Sequence, residues 1–121
     1  MSRHERLRVL DILDAIDRIA SYVERMTYES FLADRKTQDA VTRNIEIIGE
    51  AARALPQDFK EQHPDIPWDE IVAMRNVIVH QCFGILPDVV WDVVKKELPV
   101  ISSRVALEIG PMEYSVSPSG A

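Results

Sequence analysis

The sequence predicts an all-α, up-and-down helical bundle, on three observations. Apolar residues recur three and four apart in several long stretches, which is the period of a helix buried on one side. Helix-start and helix-stop residues fall at the edges of those stretches. No stretch alternates apolar and polar residues as a half-buried strand would, and the chain shows no Gly-rich phosphate loop and no internal repeat. The 121 residues suit one domain with a real hydrophobic core. The bundle is expected over residues 1–110. Residues 111–121, rich in Pro, Ser and Gly, read as a frayed tail.

The first helix is expected from Glu5 to Met26. Val9, Ile12, Ile16, Ile19, Val23 and Met26 form its seam, widened by Leu13 and Ala20. Thr27 can cap a short turn carrying Tyr28, Phe31 and Leu32, and Asp34-Arg35-Lys36 reads as a polar break. A second long helix is expected from Thr37 to Leu55. Its apolar face is Ala40, Val41, Ile45, Ile48, Ala51, Ala52 and Leu55, with Asn44 on the same side. Gly49 inside it costs about 1 kcal/mol against alanine, so close approach of another helix or a ligand is its expected return. Pro56 ends this helix, and Gln57 to Pro67 reads as a connector anchored by Phe59, with His63, like His4, at the surface. A further helix starts around Ile85-Leu86-Pro87, with Val89, Val90, Val93, Val94 and Leu98 as its core face and Trp91 as a large contact. Pro99 kinks or restarts it before it ends near Ile109.

Composition narrows the function. With 46% hydrophobic and 28% charged residues the chain is a globule, not a disordered tail. No apolar run reaches the ~18–20 residues that span a bilayer, and Met1 to Arg8 lacks a signal-peptide core, so a cytoplasmic protein without membrane contact is expected. Cys82 is the single cysteine, which leaves no intrachain disulfide and no Cys-based metal site. No metal-ligand spacing or cofactor motif is present, so neither is assigned. The net charge of −6 argues against loose nucleic-acid binding through many Lys and Arg contacts. It leaves room for a small, locally positive site.

That site is expected on the helix from Pro67 to Gly84. Pro67 suits a first helical position, Asp69 and Glu70 sit near the positive end of the dipole, and Gly84 can stop the helix. Trp68, Ile71, Val72, Ile78 and Val79 would face the core. Between them stand Arg75, Asn76 and His80. Asn76 and His80, four apart, share a face. Arg75 and His80, five apart, diverge by roughly 140°, a gap that the long arginine stem can span. A guanidinium that forks onto phosphate, beside a group titrating near neutral pH, is the minimum kit for phosphodiester cleavage without a metal. The chemistry also wants an acid for the leaving oxygen and a base for the nucleophile. One helix supplies one histidine, and two copies across a two-fold axis would supply both. Taken as residue types alone, Arg75, Asn76 and His80 equally fit hydrogen bonds to neighbouring helix ends. Asn44 and Glu50 could line a polar site, or Asn44 could bond a neighbour while Glu50 stays solvated.

These residues carry a resemblance. Arg75-Asn76-Val77-Ile78-Val79-His80 resembles the Arg-x-x-x-x-His signature, with Asn after the Arg, of the HepT-like branch of the HEPN superfamily. Phe31 to Ala40, Asn44 to Ala52, Pro67-Trp68, Phe83-Gly84-Ile85 and Val90 to Val94 are similar to the family's pattern, so the likeness spans roughly residues 5 to 109. The resemblance implies a HEPN-like bundle that works as a homodimer, in which paired motif helices build one RNA cleft. It implies a metal-independent endoribonuclease toxin paired with a small nucleotidyltransferase antitoxin of the MNT type. His80 would then be the acid/base group, Arg75 would hold the phosphate and Asn76 would position the His or the substrate. A ribose 2′-OH would attack, so RNA is the expected substrate. The family continues His-x-Tyr, and its antitoxin silences that Tyr with AMP, whereas this chain has His80-Gln81-Cys82. A thiol is not an equivalent acceptor for AMP. Two functions therefore follow: the ribonuclease toxin, or a dimeric, catalytically silent binding module that engages a nucleotidyltransferase.

Overall fold

The computed structural model describes residues 1–80 and 87–110; at 79 and 80 it describes the helix and not the side chains. Every described element is helical: α1 (Arg3–Val23), α2 (Tyr28–Leu32), α3 (Arg35–Ala54), α4 (Gln57–Gln62), α5 (Trp68–His80), α6 (Pro87–Asp92), a π-helical turn (Val93–Glu97) and α7 (Leu98–Glu108). Among the described residues there is no strand, and no helix is long and apolar enough to cross a membrane. The expected stop at Gly84, the start at Ile85-Leu86, Cys82 and the 111–121 tail lie outside the described residues.

α1 starts two residues earlier than its apolar seam predicts, because Ser2 and Glu5 form a capping box that satisfies two otherwise orphan backbone donors. It ends at Val23 instead of Met26. Ala20, expected on its core side, is exposed, and Leu10 and Ala15 fill the seam in its place. Thr27 caps α2 through Ser30, as its residue type predicts, and Phe31 is fully buried.

The polar break before α3 is shorter than expected. Asp34 alone stands outside the helix; its carboxylate accepts from the Thr37 N–H at 3.0 Å and the Thr37 hydroxyl at 2.8 Å, and Arg35 and Lys36 are already helical. Those bonds hold the Asp34 carboxyl below its ordinary 3.8, chiefly through the Thr37 N–H and hydroxyl. A carboxyl with a lowered folded pKa stabilises the fold above that ordinary value, and the contribution disappears as pH falls through the folded pKa. Asp34→Asn keeps a capping oxygen but cannot titrate. Its melting temperature should therefore fall below wild type by the most at pH 6, and the gap should narrow as pH falls below 3.8; a constant gap across thermal melts from pH 6 to 2 would show that the cap does not titrate.

The core joins Val9, Ile12, Ile16 and Ile19 of α1 to Val41, Ile45 and Ile48 of α3, Ile71 and Ile78 of α5, and Val94, Leu98 and Ile101 beyond. The Gln57–Pro67 connector is more ordered than its composition predicts. It contains α4, and Phe59 is buried against Trp68 as an anchor. His63, expected at the surface, is half-buried. Its ring packs on Phe59, its Nδ1 lies 3.6 Å from the Glu108 carboxylate of α7, and its carbonyl accepts from the Trp68 indole N–H at 3.0 Å. His4 is exposed as expected, with a ring nitrogen 3.2 Å from the Ala54 carbonyl, so α1 and α3 run antiparallel.

Within α6, Trp91 packs against Phe31 and Tyr28, and Lys95 of the π turn lies over its ring. Val89, expected in the core, is 39% exposed. Pro99 has no N–H to continue the α-helical ladder, and the chain absorbs this in the π turn, whose last bond runs from the Leu98 N–H to the Val93 carbonyl. α7 ends with Gly110 at φ +88°, the left-handed conformation that costs glycine least.

Candidate active site

The site sits where α5 crosses α3. Trp68, at the start of α5, packs on Phe59 just past the end of α3, and Arg75 lies against Gly49, so α5 runs back along α3. Pro67 is the residue before the helix, its carbonyl accepting from the Ile71 N–H at 3.0 Å, rather than its first member. Trp68, Ile71 and Ile78 are buried as their spacing predicts, and Val72 is partly buried.

Gly49 is the reason Arg75 fits. A Cβ at position 49 would collide with the Cβ and Cγ of Arg75 and stand 3.1 Å from its Cδ. The approach predicted from Gly49's helical cost is therefore an approach of α5. The stem of Arg75 occupies the space that a side chain at 49 would need.

The guanidinium is held at both terminal nitrogens. Nη2 donates to the Glu50 carboxylate at 2.8 Å, and Nη1 donates to the Asn76 amide oxygen at 3.0 Å. Arg75 is 16% exposed and Glu50 52%, so the pair lies at the edge of the protein with the cation on the inner side. Nε is buried and makes no hydrogen bond among the described residues. Each terminal nitrogen carries two N–H groups. One hydrogen on each is thus engaged, and a second on each can bind an anion.

Of the residues singled out from sequence, Arg75, Asn76 and Glu50 come together. His80 is the last residue of α5, about 1.4 turns beyond Arg75. Asn44 is buried at 5% exposure, and its amide N–H donates to the Ala40 carbonyl of its own helix at 2.9 Å. Six residues separate it from Glu50, so the two point about 120° apart around α3, and Asn44 stands apart from the arginine. Its Oδ1 has no partner among the described residues. Glu50, which the sequence leaves either lining a polar site or solvated, is half-exposed and pairs with Arg75; a bond to a residue 25 positions later has no local signal. Among the described residues no three His, Cys, Asp or Glu side chains cluster as a metal site.

Comparison with known proteins bears on this arrangement. The family model described as Ribonuclease HepT-like matches residues 12–107. The chain belongs to the HepT-like family. A Thermococcus cleftensis protein named as a probable ribonuclease HepT is 41% identical over 104 residues, covering 86% of this chain and 94% of its own length. A Methanocaldococcus jannaschii protein named as a candidate RNase is 39% identical over 94 residues, covering 78% of each chain. A Caldanaerobacter subterraneus protein, also named as a candidate RNase, is 35% identical over 94 residues, covering 78% of this chain and 84% of its own. No solved structure matches. In this HepT-like chain, α5 carries the Arg-x-x-x-x-His stretch and α3 carries the glycine and carboxylate that receive its arginine.

Proposed function

We propose that this HepT-like chain is a metal-independent endoribonuclease, the toxin of a pair whose antitoxin is an MNT-type nucleotidyltransferase. The observation that carries the reading is the Arg75 guanidinium, fixed between Glu50 and Asn76 on the same helix that ends in His80. A guanidinium pinned at both ends keeps one free N–H on each terminal nitrogen in a fixed plane, which suits two oxygens of one phosphate. Pinning also lowers the entropy lost when that phosphate binds.

In the proposed reaction, a ribose 2′-OH attacks the adjacent phosphorus and the 5′-oxygen departs. His80 moves the proton: one imidazole takes it from the 2′-OH as base, and a second gives one to the leaving oxygen as acid. The two imidazoles come from two copies of the chain, so the working unit is a homodimer with α5 of each copy at the shared cleft. Arg75 neutralises the charge that builds on the phosphate oxygens. Asn76 holds the guanidinium in plane, a role the geometry supports better than direct contact with RNA. Products are a 2′,3′-cyclic phosphate and a 5′-hydroxyl.

The acidic balance of −6 and Cys82, where the family has Tyr, favour the second reading, a silent dimeric module that binds a nucleotidyltransferase. One assay separates them. Total cellular RNA incubated in EDTA should be cut by the wild-type protein to cyclic-phosphate ends and left intact by His80→Ala at equal folding. Equal cleavage by both proteins refutes the assigned site. No cleavage by either supports the binding module, and Cys82→Tyr then asks whether the missing phenol accounts for the silence.

A further inference from the structure

α3 opens on Asp34, whose carboxylate caps it, and two cations, Arg35 and Lys36, follow directly. Arg35, and Arg43 two turns later, are exposed, and among the described residues neither side chain has a hydrogen bond, ion pair or ring contact. Both line a cleft of about 590 Å³, with Gln38, Thr42 and Glu46 of α3 and with Pro87 at the start of α6. Gln38 ties this part of α3 to α2 by donating to the Phe31 and Leu32 carbonyls at 2.8 and 3.0 Å.

The cleft adjoins the catalytic crossing. Glu46 precedes Gly49 by three residues, hence by less than one turn. Because α5 runs back along α3, the five residues from Arg75 to His80 carry its backbone about 7.5 Å further. That brings the end of α5 alongside residues 42–46 of α3, the wall of the cleft. Gly49, where Arg75 meets α3, Arg43 and Arg35 thus follow one another at successive rises of about 9 Å and 12 Å, with Arg43 turned about 120° from Gly49 and about 80° from Arg35.

We propose that this cleft is a subsite for the single-stranded RNA flanking the scissile bond, with Arg35 and Arg43 binding its phosphates or stacking on its bases. The inference rests on the ribonuclease reading. Asp39 and Glu46 also line the cleft, so its charge is balanced and it exerts no diffuse pull on a duplex backbone. What remains is pairwise recognition: guanidinium groups for phosphate or for the face of a base, and carboxylates for the amino groups on base edges. Those edges are free only in a single strand.

The test uses the full chain carrying His80→Ala, which leaves RNA uncut, and a fluorescein-labelled single-stranded RNA read by anisotropy over a salt series. Adding Arg35→Gln and Arg43→Gln should weaken binding at least fivefold at 100 mM salt. It should also flatten the slope of log affinity against log salt by about 1.4, since each phosphate contact on a single strand accounts for about 0.7. Each single change should produce about half of this, and Arg104→Gln, at an exposed position of α7, none. Arg35→Gln removes a cation from the positive end of a dipole, so folding is retained. An unchanged slope, an equal loss from Arg104→Gln, or no RNA binding by the His80→Ala chain overturns the subsite. Cleavage by otherwise wild-type enzyme tells the two failures apart. A catalytically active protein whose KM ignores both arginines loses the subsite alone; an inactive protein that shows the salt effect loses the ribonuclease reading alone.

Discussion

Gly49→Ala should destabilise this protein by about 1–3 kcal/mol and lower RNA cleavage by roughly 10- to 100-fold. The sign is the informative part, because Gly→Ala in a helix interior ordinarily stabilises by ~0.4–1 kcal/mol. Here the added methyl meets the Cβ and Cγ of Arg75, the root of that side chain and not its flexible end. Rotating χ angles cannot clear a clash at Cβ, so α5 must move away from α3 and carry Arg75 and Asn76 with it. A double-mutant cycle isolates the cause. In an Arg75→Gly background the collision disappears, and Gly49→Ala should revert to neutral or stabilising. Arg75→Ala would not serve, since alanine keeps the offending Cβ. Urea unfolding of the four proteins checks the expectation. A destabilisation that persists beside Arg75→Gly would mean that Gly49 is needed for something other than its fit to Arg75.

The same residues show how far the sequence could be read. Gly49 was legible because its helical cost has to be offset, and close approach offsets it; which residue approaches was not, because Arg75 lies 26 positions away and only the antiparallel course of α5 brings it there. Glu50 looks like any acid on a solvated face, and half of it is exposed, yet its carboxylate fixes the guanidinium. The long helices were legible from the apolar seam of α1 and the face from Val41 to Leu55, both of which are buried. Of the short elements, α2 was legible from its Thr27 cap and α4 was not. α4 spans six residues, too few to show a period, and Phe59 alone marked it. Val89 fits the helical period of its neighbours but stands at the edge of the stripe that Val90, Val93 and Val94 bury, a difference that apolar spacing alone does not separate. Patterns local to a helix were readable, then, and pairings between helices were not.

Arg75→Lys should leave the fold intact and reduce the cleavage rate by roughly 10²- to 10³-fold, the loss expected for one electrostatic stabiliser of a transition state. The aliphatic stem of lysine can lie over Gly49 much as the arginine stem does, so packing between α3 and α5 is retained and the melting temperature should change little. The ammonium is a single point and cannot bridge Glu50 and Asn76 while presenting two parallel N–H groups to a phosphate. Charge is preserved, so the salt dependence of RNA binding should stay close to wild type while the rate falls. Arg75→Ala, by contrast, should lower both, because it removes the phosphate contact altogether. Asn76→Ala tests the remaining support. It leaves the Arg75–Glu50 pair in place but frees Nη1, so its rate should fall less than that of Arg75→Lys, with KM nearly unchanged. Single-turnover cleavage beside anisotropy titrations of the same variants separates these outcomes. A lysine variant as fast as wild type would show that position 75 contributes only a positive charge, and the planar, two-point hold on phosphate would have to be given up.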